Sequence, residues 1–101
     1  MRGCVFRDAH LYGIDLTDAD MVRASFEGAH LNEAKLIGAN LMFSNLAQAD
    51  LSNADLTGAT LAHTEGLTQE QLGHAHADPE NPPKLIDAHD ALTGEELVWD
   101  P

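Results

Sequence analysis

A large apolar residue returns at every fifth position over most of this chain. The series is Phe6, Leu11, Leu16, Met21, Phe26, Leu31, Leu36, Leu41, Leu46, Leu51, Leu56 and Leu61, and none of the twelve is polar. Two residues before each stands a mostly small one: Cys4, Ala9, Ile14, Ala19, Ala24, Ala29, Ala34, Ala39, Ser44, Ala49, Ala54 and Ala59. Period five suits neither regular element. A helix needs apolar residues at a spacing near 3.6 and a half-buried strand needs alternation. Wound as a helix, these positions rotate around the axis and no single face is apolar. Repeats of a short unit instead point to an array in which each unit buries its face on its neighbours.

Composition agrees with a small-residue core. Hydrophobic residues make up 44% of the 101-residue chain, yet only 5% is aromatic. The stretches Ala19-Asp20-Met21, Ala39-Asn40-Leu41, Ala49-Asp50-Leu51 and Ala54-Asp55-Leu56 resemble the signature of the pentapeptide-repeat family, Ala-(Asp/Asn)-Leu followed by two variable residues. The resemblance covers roughly residues 2–63. It implies an all-β solenoid: a right-handed quadrilateral β-helix in which each pentad forms one side and four pentads one coil. Twelve pentads then make about three coils, a stack ~15 Å tall at strand spacing. Both the large residue and the preceding small one are expected to face inward.

Twenty-residue coils predict vertical stacks. Phe6, Phe26 and Leu46 form one inner column, and Leu11, Leu31 and Leu51 the next. Leu16, Leu36 and Leu56 form a third, and Met21, Leu41 and Leu61 a fourth. On the outside, Asp15, Lys35 and Asp55 should stack, as should His10, His30 and Asp50. Cys4 falls in a small inner slot, where a thiol acts as a small hydrophobe. Val22 and Met42 hold outward positions, with Phe43 beside Met42 and Ile37 before the same corner. Clustered outward apolar residues mark a contact surface, so Val22, Ile37, Met42 and Phe43 are the candidate interaction patch. Its expected cover is the chain's own tail or another protein.

Two segments divide the chain: the repeats at 1–64 and a tail at 65–101. Thr68-Gln69-Glu70-Gln71 reads as a capping box, with Leu67 and Leu72 as its hydrophobic staple. A short helix over about 69–76 follows, and its natural place is over an open end of the stack. Pro79, Pro82 and Pro83 bar its continuation. Beyond them Lys84–Ala88 and Glu96–Trp99 are strand candidates with a turn at Thr93-Gly94. Their expected docking place is the N-terminal side of the stack or the patch. Similar tails follow the repeats in some bacterial pentapeptide-repeat proteins. The first pentad begins almost at Met1 with no capping helix before it. An open β-helix end is a template for pairing, so a homodimer through that end, or cover by another protein, is expected.

Charge restricts the partners. The net charge is −12, and affinity for nucleic acid phosphates comes from Lys and Arg, so direct nucleic acid binding is not expected. Residues 1–64 carry eight acids against four bases, a net of −4, whereas 65–101 carry nine acids and only Lys84, a net of −8. The single cysteine rules out an intramolecular disulfide. With no apolar run long enough to span a bilayer and no signal-peptide pattern, a cytoplasmic protein with no membrane association is expected.

No catalytic constellation is visible: no phosphate loop and no nucleophile elbow. His74-x-His76 near Asp78 has metal-ligand character but lacks a four-ligand set, so no metal or other cofactor is expected. The sequence thus reads as a non-catalytic protein-interaction or structural scaffold. The alternative comes from the resemblance. Some family members mimic DNA, bind DNA gyrase or related topoisomerases and confer quinolone resistance. The total charge suits that role, whereas the short rod and the modest charge of the repeats do not.

Overall fold

The structure is a computed structural model that describes residues 2–99. Its organising element is the corner. From Ala9 to Ala59 the backbone amide of each small-slot residue closes a tight turn, as where the Ala9 amide donates to the Phe6 carbonyl at 3.1 Å. The third turn residue has positive φ at every corner from Asp8 (57°) to His63 (56°). That is the signature of a type II turn. Four of these twelve corners use glycine (Gly13, Gly28, Gly38 and Gly58), and the other eight force a side-chain-bearing residue into the left-handed region. So many strained corners persist only because the stack over-determines them.

Between corners the sides are flat and short. Each contributes one bridging residue, paired in parallel with the residue twenty positions on: Val5 with Ser25, His10 with His30, Asp15 with Lys35, Asp20 with Asn40, and onward to Asn45 with Glu65. The stack is therefore a parallel, four-sided β-helix with a twenty-residue coil. We number sides one to four after the columns of Phe6, Leu11, Leu16 and Met21. Among the described residues the sides are single bridges rather than extended strands, since a corner interrupts every fifth residue.

The interior follows the two inward positions. Met21, Phe26, Leu31, Leu36, Leu41, Leu46, Leu51, Leu56 and Leu61 are buried, as are the alanines from Ala24 to Ala59. The expected columns form, with the Phe6 and Phe26 rings stacked 5.2 Å apart. The first coil departs from the expectation of uniform burial. Phe6, Leu11, Ile14, Leu16 and Ala19 are only partly buried, and Cys4 is half-buried rather than enclosed. No described residue lies over that coil.

The tail extends and closes the opposite end. Helix α1 spans Gln69–Gly73, shorter than the sequence pattern suggested. His74 caps it because Ala75 and His76 return to the stack, where His76 bridges Asp55. Lys84 then bridges Thr60, and the His63 amide donates to the Ile86 carbonyl. Residues 65–87 thus form a fourth, irregular turn of the solenoid in which α1 replaces one side. The repeat–tail division at residue 64 is not a break in the stack. His89 pairs antiparallel with Glu96, which makes the expected hairpin around Thr93-Gly94. Its inner residues Ala88 and Leu97 are buried, with Leu67, Leu72 and Ala75, against the last coil. The tail accordingly docks on the C-terminal end of the stack, and neither on the N-terminal side nor over the patch.

Candidate functional site

The described residues enclose no cavity. The coil places the side chains of its outer columns one above another. The Asp/Asn positions show how the surface is fixed. The Asn40 side chain accepts from the Met42 amide at 3.1 Å, Asn45 from Ala47 at 2.9 Å, Asp50 from Ser52 at 3.0 Å and Asp55 from Thr57 at 3.0 Å. Each satisfies the one corner N–H that neither the turn nor the next coil uses, a local Asx device. This is the physical reason for Asp or Asn before the large residue.

Side four and the corner after it carry the expected patch. Backbone bonds run from Gly3 to Val22, Arg23 to Met42, Phe43 to Ala62 and His63 to Ile86. Val22, Met42, Ala62 and Ile86 therefore form one column, and Arg23, Phe43, His63 and Asp87 its neighbour. In the second column the Arg23 guanidinium lies 4.7 Å from the centre of the Phe43 ring. Phe43 stacks on His63 with centroids 4.8 Å apart and planes 8° apart. His63 Nε2 is 3.7 Å from an Asp87 carboxylate oxygen. The tail adds the last rung of both columns through Ile86 and Asp87.

The patch differs from the sequence expectation in two respects. Val22 is buried at 7% exposure, enclosed in its column, whereas Phe43 is 42% exposed. Met42 is half-buried. Ile37 belongs to the corner before side four, in a column with Thr17 and Thr57, so it does not share a corner with Phe43. What sequence reasoning missed is the stacked set Arg23, Phe43 and His63. Their spacing of twenty was the available signal.

Several charges elsewhere are paired or locally held. Arg2 contacts Asp20 and Arg7 contacts Glu27, each at 2.8 Å. Tyr12 hydrogen-bonds Glu33. The His10 and His30 rings stack at 4.9 Å as expected, and Asn32 donates to Asp50 at 3.0 Å. The Ser52 hydroxyl and amide hold the Asp50 carboxyl below its ordinary value, and the neighbouring His30 and His74 add to this. Thr17 does the same for Asp15, and the Arg2 guanidinium does so for Asp20. The expected Asp15–Lys35–Asp55 ladder exists as a column, with Lys35 only a minor influence on Asp15. His74 and His76 do not converge on a shared centre with Asp78. His74 caps α1, and His76 Nε2 lies 2.8 Å from Asn53 Oδ1. Among the described residues no cluster of three or more His, Cys, Asp or Glu is placed to hold a metal ion.

A family model for pentapeptide repeats, in eight copies, matches residues 1–36 and 24–62. The chain belongs to the pentapeptide-repeat family. Among solved structures it is similar to a pentapeptide-repeat protein from the Arabidopsis thaliana thylakoid lumen, at 24% identity and a TM-score of 0.69, covering 87% of this chain and 60% of that one. It is also similar to the pentapeptide-repeat protein Rfr23 of the cyanobacterium Cyanothece 51142, at 27% identity and a TM-score of 0.52, covering 99% of this chain and 60% of that one. This pentapeptide-repeat chain thus spans about 60% of the length of both. Among curated proteins none matches it. No helix among the described residues is long and apolar enough to cross a membrane.

Proposed function

We propose that this pentapeptide-repeat chain is a non-catalytic interaction module whose working surface is side four with the corner that follows it. The observation that carries this reading is the column Arg23–Phe43–His63. It sets a cation, an exposed aromatic ring and an imidazole in one rigid line beside Met42 and Ile86. Aromatic and arginine side chains held rigidly are the groups that dominate the energy of protein contacts. Arg2 and Arg7 spend their charge on Asp20 and Glu27, whereas no carboxylate among the described residues pairs with Arg23. The handedness we assign to the coil, right-handed, follows from family membership. Cytoplasmic placement and the absence of a cofactor remain part of this reading.

The test compares affinity capture by the native chain with capture by Arg23→Ala and Phe43→Ala, using Tyr12→Phe on side two as control. Partners lost from the first two variants and kept by the third support the reading. Equal capture by all four proteins overturns it. The DNA-mimic alternative needs unpaired carboxylates in rows along the coils. Pairing of Asp20 and Glu27 with arginines works against it. Inhibition of gyrase supercoiling by the purified chain is the outcome that would restore it.

A further inference from the structure

Side four is complementary to its own inverse. Its corner column carries Arg23 and, three rungs on, Asp87, about 14 Å away at strand spacing. No carboxylate among the described residues pairs with Arg23, and Asp87 meets the His63 imidazole at 3.7 Å with its side chain 63% exposed. The bridging column of the same side has the opposite polarity: Asp20, then uncharged Asn40 and Thr60, then Lys84. Arg2 contacts Asp20, whereas no carboxylate among the described residues pairs with Lys84. Between these two, the column of Val22 alternates in height. Val22 and Ala62 are recessed, at 7% and 3% exposure, whereas Met42 is half-buried and Ile86 stands out at 62%.

We propose that this side packs face to face with side four of a second copy of the chain, with the two stacks antiparallel. The proposal rests on side four being the working surface and names its occupant. The two-fold axis lies in the interface, at right angles to the stack and midway between the Phe43 and His63 rungs. Each column then meets its own inverse, as an isologous contact requires. Arg23 meets Asp87 of the second copy and Lys84 meets Asp20 of the second copy, and each pair occurs twice. Ile86 enters the recess at Val22, Met42 enters the recess at Ala62, and the Phe43 ring comes opposite the His63 imidazole.

The other two-fold arrangement, with the stacks parallel, passes on charge and fails on shape. Its axis runs along the stack and sets each rung against the same rung. Arg23 then meets Asp20 and Lys84 meets Asp87, both pairs of opposite sign. But Ile86 stands on Ile86, and Ala62 faces Ala62 across a gap that Met42 on Met42 holds open. Interface cores pack as densely as protein interiors, and this pairing leaves voids. The molecule measures 27 × 27 × 20 Å, so one side offers on the order of 500 Å² per copy, the low end for a specific contact. The dimer is therefore reversible, and its exposed charges make it weaken with salt.

Sedimentation velocity on the full chain, from micromolar to submillimolar concentration, should show a monomer–dimer equilibrium that shifts toward monomer as salt is added. Arg23→Glu sets an acid against Asp87 twice per dimer, and Asp87→Arg sets a cation against Arg23 twice. Each alone should weaken the dimer about tenfold or more. An equimolar mixture of the two variants restores both contacts and should form a heterodimer at close to native affinity. The parallel arrangement gives no such rescue, because Arg23 and Asp87 never meet in it. Ile86→Glu, at a position exposed in the single chain, should abolish the dimer without lowering the thermal midpoint. A monomer at every concentration overturns the proposal, and capture by Arg23→Ala and Phe43→Ala then decides separately whether side four is a working surface. A dimer that both single charge variants leave intact, or that their mixture does not restore, overturns the antiparallel pairing.

Discussion

Ser44 occupies a slot that alanine fills in most pentads, and it shows how narrow the choice is there. Its hydroxyl is fully buried and has no hydrogen-bond partner; Thr64, one coil further on, buries a second unpartnered hydroxyl. A buried hydroxyl without a partner costs about 1–3 kcal/mol. Ser44→Ala is therefore expected to raise stability by ~1 kcal/mol, seen as a higher denaturant midpoint at unchanged slope. Asn45, the next residue, works in the opposite sense. Its side chain holds the Ala47 amide, so Asn45→Ala is expected to cost ~1 kcal/mol in the same titration. The aspartates that hold corner groups also tie stability to pH. Asp15, Asp20, Asp50 and Asp90 all lie below the ordinary carboxylate value of 3.8 in the folded chain. A depressed carboxylate stabilises the fold fully above its unfolded pKa, and that contribution is lost as pH falls through the folded one. Lowering pH from 7 toward the pI of 4.5 relieves self-repulsion and acts the other way. Thermal unfolding against pH should thus show its highest midpoint near the pI and a steep fall below about pH 4. A midpoint still rising at pH 3 would contradict this account.

At the scale of elements, α1 is too short to stand alone and is held by what it touches. Thr68 and Gln71 cap it reciprocally, with the Thr68 amide donating to Gln71 Oε1 at 2.8 Å. The Gln71 side-chain amide then donates to the carbonyls of Leu46 and Ala49 at 2.8 and 2.9 Å. One glutamine thus closes both the helix start and the open edge of the last coil. Gln69 ties the helix to the hairpin through Val98 at 2.7 Å, and Asp90 accepts from the Gln69 amide at 2.8 Å. Gly66 lets the chain cross toward α1. Its φ is +74°, and an added Cβ would lie 2.7 Å from the Ala47 Cα. Gly66→Ala is expected to cost ~2 kcal/mol or more from strain and overlap, with the loss appearing first as faster hydrogen exchange in α1 and the hairpin. The capping box was legible from residues 68–71 because its signal is local. The helix end was less legible: Gly73 is a local stop signal, but what draws the chain away is the return of His76 to bridge Asp55.

Taken as a whole, the described residues form a stack covered by the tail at its C-terminal end, and burial grades along it. Leu31 is fully buried and Leu11, directly one coil before it, only partly. Leu31→Ala should cost ~3 kcal/mol as a central cavity, and Leu11→Ala clearly less. Equal losses in chemical denaturation would contradict this grading of burial.

The sequence by itself determined that every fifth residue, with the small residue two before it, turns inward, because stacked short units bury their repeated apolar face on their neighbours; the four-sided, twenty-residue coil came with the resemblance to the pentapeptide-repeat family. The capping box at Thr68 was a matter of local spacing, whereas His10 on His30 followed only once the twenty-residue coil was taken from the resemblance. Where the period stops, the sequence no longer says which surface a segment meets. Ile86 and Asp87 join the columns of Val22 and Arg23, Val22 is enclosed while Phe43 is open, and the hairpin covers the last coil. Those outcomes depend on which edges and apolar ends lie within reach of the tail, and only the folded stack creates them.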